Sequence, residues 1–93
     1  MRIGAVRKTP EDRRDYDVNF SDWTPEGDEV IDAEAFLEGE SSIDIESVAI
    51  ENNVVKVWLS GGEDGDSAEI EVRATTNLGR IKTVCFRVRV ADC

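Results

Sequence analysis

The sequence contains no histidine, only two cysteines and two prolines, and no apolar run near the ~20 residues of a membrane-spanning helix. Without histidine the commonest general base and metal ligand is missing. The two cysteines, Cys85 and Cys93, lie on or just after one extended segment, so they do not make a zinc site. They are also roughly 26 Å apart along an extended chain, too far to pair unless the end folds back. Free thiols made in a reducing cytosol are expected, with Cys93 the readier to oxidise between molecules. The N-terminus carries no apolar signal-peptide core, so the protein is expected to be soluble and unprocessed. No enzyme activity, cofactor, bound metal or small-molecule substrate is expected.

What is present is charge, unevenly placed. The chain has 21 acidic and 11 basic residues, a formal net charge of −10. Residues 1–14 hold Arg2, Arg7, Lys8, Arg13 and Arg14 against Glu11 and Asp12, which makes that segment +3 and leaves −13 for residues 15–93. An acidic body disfavours nucleic acid, whose binding depends on cationic side chains displacing counterions from phosphates. Residues 1–14 show neither a helical nor a strand period and include Pro10. They read as a flexible basic N-terminal arm, mobile in the isolated protein, ahead of one folded domain over 15–93.

The rest alternates. Tyr16, Val18 and Phe20 share a face; so do Val55, Val57 and Leu59, then Ile70, Val72 and Ala74, then Val84, Phe86, Val88 and Val90. A period of two is the pattern of strands with one buried and one wet face. Ser21–Asp28 reads as a loop bent at Pro25 and Gly27. Ile31, Ala33, Ala35 and Leu37 suggest another strand, although good helix formers leave a short helix open over 32–38.

Two turns can be tested against the phase of their flanks. Asparagine accepts left-handed backbone angles, so Asn52-Asn53 suits a two-residue hairpin loop. That loop sets Glu51 opposite Val54, Ile50 opposite Val55, Val48 opposite Val57 and Ser47 opposite Trp58, with apolar residues meeting on one face. Ile43 and Ile45 have the opposite phase to Val48 and Ile50, so a bulge or bend is expected near Glu46 or Ser47. In the last hairpin, a turn centred on Gly79 pairs Ala74 with Val84 and Val72 with Phe86. It calls for a loop of three or five residues with Gly79 at positive φ.

These elements indicate an all-β fold: an antiparallel two-layer β-sandwich of immunoglobulin-like type, with about six to seven strands behind the arm. A small SH3-like barrel is the alternative. The expected core is Tyr16, Val18, Phe20, Ile31, Val48, Ile50, Val55, Val57, Leu59, Ile70, Val72, Val84, Phe86, Val88 and Val90. Neither a tyrosine corner nor a core cysteine pair is evident, so antibody-type architecture is not implied.

Few residues invite a chemical role. Glu63, Asp64 and Asp66 could gather calcium, but their spacing lacks a full ligand ladder and a solvated turn explains them. Asp15 and Asp17 could act as paired carboxylates, yet alternate residues on one strand form its wet face. Trp23 reads as a plug over one end of the sandwich. Trp58 lies in the phase opposite to the core, either covered by the arm or a neighbouring loop or exposed as an anchor for a partner. With Arg2, Arg7, Lys8, Arg13 and Arg14 it forms the candidate interface.

Val57-Trp58-Leu59-Ser60-Gly61-Gly62 with Gly65, followed by Thr75-Thr76-Asn77-Leu78-Gly79-Arg80, resembles a family of small tailed-phage proteins, the fibre-tail adaptors. Lys8-Thr9-Pro10-Glu11-Asp12, Asp15-Tyr16-Asp17-Val18-Asn19-Phe20 and Gly27-Asp28 are similar to the opening of the same family, so the resemblance runs through most of the chain in order. It implies a non-enzymatic virion structural protein, made in the cytoplasm of a bacterial host, that joins tail and fibre or other tail and head-tail components. Its partners would be other phage tail or fibre proteins, with an oligomer on the virion conceivable and no membrane or nucleic-acid contact. The alternative from a different class is a stand-alone β-sandwich module that binds carbohydrate or calcium.

Overall fold

The computed structural model describes residues 2–92, with the side chain of Arg2 outside that description. Seven strands are present among these residues: β1 (Arg2–Lys8), β2 (Arg14–Asn19), β3 (Val30–Glu38), β4 (Ile43–Glu51), β5 (Val54–Gly61), β6 (Ser67–Thr76) and β7 (Ile81–Val90). A single 3-10 turn, Ser21–Trp23, follows β2. The strands form two sheets in the orders β1-β7-β6-β3 and β2-β5-β4. With the strands lettered A to G, these orders become A-G-F-C and B-E-D. This is the immunoglobulin arrangement with its first strand placed against the last. Residues 32–38 are strand, not helix.

The period of two produces the layers. Val55, Val57 and Leu59 of β5 are fully buried, and so are Ile70 and Val72 of β6 and Val84, Val88 and Val90 of β7. Their inward side chains interdigitate across the two sheets, and Val18 and Phe20 close the core from β2. Tyr16 is half-buried and packs on Phe86, with ring centroids 5.9 Å apart. Trp23 lies edge-on to Phe20 at 5.9 Å, against the end of the core where a plug is expected.

The β4–β5 hairpin has the register that its turn dictates. Asn52 and Asn53 take φ values of 49° and 65°, and the four expected pairs all occur. A bulge falls between Ile45 and Ser47, so Ile43 and Ile45 regain the inner face. In the β6–β7 hairpin the loop has three residues, Asn77-Leu78-Gly79, and Gly79 has φ 87°. The turn centres on Leu78 rather than Gly79, however, so Val72 faces Val84 and Ile70 faces Phe86. The expected pairing is displaced by two residues, which leaves the inner face intact because the side-chain period is itself two.

Three expectations are corrected. In place of an unstructured arm over residues 1–14, Arg2–Lys8 is a strand paired in parallel with β7. Backbone hydrogen bonds hold it there, which a side-chain period cannot reveal. Ile31 is 57% exposed while Val30 is buried, because a bulge between Val30 and Asp32 shifts the phase of the strand. Ile50, on edge strand β4 beside the Asn52-Asn53 turn, is 36% exposed rather than core. Ile43, Ala68 and Ala74 are buried as well. Cys85 is half-buried on the outer face of β7, and Cys93 lies outside the described residues.

Two glycines differ in what holds their places. A Cβ on Gly62 would lie 2.8 Å from Val90 Cγ2 and 3.1 Å from Ile43 Cγ1, at a φ of 95°. A Cβ on Gly79 would meet nothing within 4 Å, so only its positive φ resists substitution. Gly79→Ala should therefore cost about 1 kcal/mol of left-handed strain. Gly62→Ala should cost about 3 kcal/mol, because overpacking adds to that strain. The midpoints of urea unfolding for the two variants check this order.

Candidate docking surface

The outer face of the β2-β5-β4 sheet carries the sequence-predicted tryptophan. Trp58 of the central strand projects outward between Asp15 on β2 and Ser47 on β4. The Arg13 guanidinium lies 4.4 Å from its ring centroid and reaches on to Glu46, with which it forms an ion pair. The bulge in β4 explains the reach, since two residues there oppose one on β5 and Glu46 is brought to the wet side. Hydrogen bonds from Ser60 and Arg13 hold the Glu46 carboxyl below its usual range. Trp58 is half-buried beneath this bridge. A cation over an exposed ring contributes about 0.5–1 kcal/mol, little enough for a partner to replace.

Of the other candidate interface residues, Arg7, Lys8 and Arg14 do not gather around it, and the side chain of Arg2 lies outside the description. Arg7 is exposed on the outer face of β1 and donates to the Asp92 carbonyl at 3.3 Å. Arg14 is exposed beside Leu59 at the start of β2. Lys8 is 2% exposed. Its ammonium donates to the Thr9 carbonyl at 2.7 Å and to the Gly61 carbonyl, joining β1 to β5 across the layers. Burial pushes its pKa down, and Asp12 partly offsets the shift. Lys8 thus presents no free charge to a partner.

A second surface escapes the period-two reading. At the end of the sandwich formed by the β6–β7 turn, Leu78 is 65% exposed and Ile81 is 66% exposed. Ile81 and the bulge that contains Ile31 flank Thr75 from opposite sides of β6, so three large apolar side chains stand at one corner. An apolar residue inside a polar turn, Asn-Leu-Gly, is the sequence signal that could have found this corner. Polar bonds tie this end together. The Asp28 carboxylate, wholly shielded from solvent, accepts from Arg80 Nη1 at 2.9 Å and from the Leu78 amide at 3.2 Å. Asn77 and Glu29 exchange two further bonds, the Asn77 amide donating to the Glu29 carbonyl and the Glu29 amide to Asn77 Oδ1.

The acidic turn has a structural task. Asp66 Oδ2 accepts from the Glu63 amide at 2.9 Å, from Ser41 Oγ at 3.1 Å and from Ser42 Oγ at 3.3 Å, tying the start of β6 to the start of β4. Asp64 accepts from the Asp92 amide. No group of three or more potential metal ligands is assembled among the described residues. Asp15 and Asp17 flank Lys56, at 3.0 and 3.8 Å, on the wet face.

The sequence model of one family, described as podophage GP4 fiber-tail adaptor protein gp77, matches residues 8–89 of the 93. No curated protein matches the chain.

Acid should loosen the sandwich through these carboxylates. Burial pushes the Asp28 carboxyl up, but hydrogen bonds from Thr76, Arg80, Leu78 and Glu29 outweigh it and hold its pKa below the ordinary 3.8. The Glu63 amide, against an opposing effect of burial, does the same for Asp66 with help from Ser41 and Ser42. Folded-state values below the unfolded one give stability that is present above pH ~4 and lost as pH falls through the folded values. The urea midpoint should decline from pH 5 to pH 2. Asp66→Asn should flatten that decline, which chemical denaturation across the pH range checks.

Proposed function

The chain belongs to the podophage GP4 fiber-tail adaptor family, and from that premise we propose that it is a non-enzymatic virion structural protein joining tail and fibre components through protein–protein contacts. The family match over residues 8–89 carries the reading. The two outward surfaces support it. Large apolar and aromatic side chains on otherwise charged faces are the usual anchors of an interface, with surrounding charge setting orientation and encounter rate. Ile31, Leu78 and Ile81 supply one such anchor, and Trp58 under Arg13 the other. In this reading the protein is made in the cytoplasm of the bacterial host, resides in the virion and contacts other tail or fibre proteins.

Point variants are the right test, because removing residues 1–14 would strip β1 from its sheet. Leu78→Ser with Ile81→Ser should leave the melting curve near that of the parent, since surface changes usually shift stability by less than about 0.5 kcal/mol. Trp58→Ala, which also gives up an Arg13 contact of about 0.5–1 kcal/mol, should lower the melting temperature modestly and remain folded. Supplied to a phage lacking the gene, each should give fewer complete, fibre-bearing virions by electron microscopy than the parent does. Normal virions assembled with none of this protein would overturn the adaptor role.

A further inference from the structure

The charges are sorted by strand. From Asp15 to Val55 there are 13 acidic residues and no basic one, whereas Arg80, Lys82, Arg87 and Arg89 stand between Arg80 and Val90 without an acid. The fold converts this order in sequence into an order in space. In the β1-β7-β6-β3 sheet, the acidic strand β3 is one edge and the basic pair β1 and β7 is the other. Along the outer face one row runs Glu38, Glu69, Arg87, Ala5, and the row beyond its β7 end sets Arg7 beside Arg89. Glu69 and Arg87 neutralise each other at 3.2 Å in the middle of the sheet. Asp32, Glu34 and Glu38 on β3 and Arg7 and Arg89 near β1 are exposed. The neighbouring edge of the second sheet deepens the acidic flank with Asp44 and Glu51 of β4. On the basic flank, Asp15 and Asp17 of β2 sit against Lys56.

We propose that this chain associates with further copies of itself head to tail, the acidic β3 edge of one copy meeting the basic β1 edge of the next. Both are edge strands, with a row of backbone groups that no other strand pairs among the described residues. Their direction permits the contact. β1 is parallel to β7, and β6 is antiparallel to both β7 and β3, so β1 and β3 run the same way. A neighbour displaced sideways without inversion therefore sets its β1 alongside β3 as a parallel pair, continuing the sheet. Bulges at the starts of both strands leave Asp32–Glu38 and Gly4–Lys8 regular. Two different edges meet, so each added copy leaves a free edge of either kind, and growth ends when a ring closes. The charge of −10 on each copy opposes approach, but a Debye length of about 8 Å at 0.15 M salt screens that repulsion more than it weakens charges in contact.

The proposal is independent of the adaptor reading, since it concerns contacts between copies and is tested on the purified chain. Sedimentation should show concentration-dependent association at ~0.15 M salt that is lost at ~1 M. Glu34→Lys with Glu38→Lys should make both edges basic, and Arg7→Glu with Arg89→Glu should make both acidic. Each variant alone should self-associate at least tenfold more weakly than the parent, with an unchanged circular dichroism spectrum. An equimolar mixture should recover association, because each variant then finds an opposite edge on the other. A monomeric parent throughout, variants that associate as the parent does, or a mixture no better than its parts would overturn the proposal.

Discussion

Among the described residues no ladder of backbone hydrogen bonds joins the two sheets, so their alignment depends on side chains meeting across the core. Val55, Val57 and Leu59 face Ile70, Val72, Val84, Val88 and Val90, all without solvent exposure, and a shift of one residue in any strand would expose its whole set. Polar contacts at the two ends then remove the remaining freedom to slide. At one end, Lys8 bonds to Gly61 and Asp66 to Ser41 and Ser42, each linking one sheet to the other. At the other, Asn53 holds the Phe20 amide through its carbonyl and the Val30 amide through its side chain, joining β2 and β3 through one turn residue. The apolar layer drives assembly, and these bonds give it one register.

That division explains what could be read from the sequence. The β4–β5 hairpin was legible to the residue because Asn52-Asn53 and the phases on either side are independent local signals that agree. For the β6–β7 hairpin the parity was legible but the centre was not, since a loop centred on Leu78 or on Gly79 keeps Val72 and Val84 inside alike. The phase of β3 failed at the bulge between Val30 and Asp32, where nothing in Val-Ile-Asp marks the inserted residue.

The first strand was hidden for a different reason. A parallel partner 82 residues away supplies its hydrogen bonds, so its own residues need little alternation: Gly4, Val6 and Lys8 face inward while Ala5 and Arg7 face out. Lys8 in particular reads as exposed, because an ammonium group is costly to bury unless carbonyl oxygens receive it. The structure provides two, from Thr9 and Gly61. A basic segment that looked like an attachment arm thus spends Lys8 on the fold, sets Arg13 over Trp58 and displays Arg7 along the β1 edge.

The residues of the family-like motifs can now be separated by what the fold requires of them. Gly61 and Gly62 have no freedom: a Cβ on the first would lie 2.9 Å from the Ser42 carbonyl and one on the second would enter Val90. Val57 and Leu59 are core, and Thr76 accepts from the Arg80 amide to close its turn. Leu78 is different. Its backbone amide serves Asp28, but its side chain stands in water at a position where a polar residue would satisfy the same turn. Trp58 is likewise outward on a strand whose burial needs are met by Val57 and Leu59. Apolar side chains that the fold does not use carry a solvation cost in the isolated chain. A partner that covers them would remove that cost, and on this ground Leu78 and Trp58 are the positions we propose for docking.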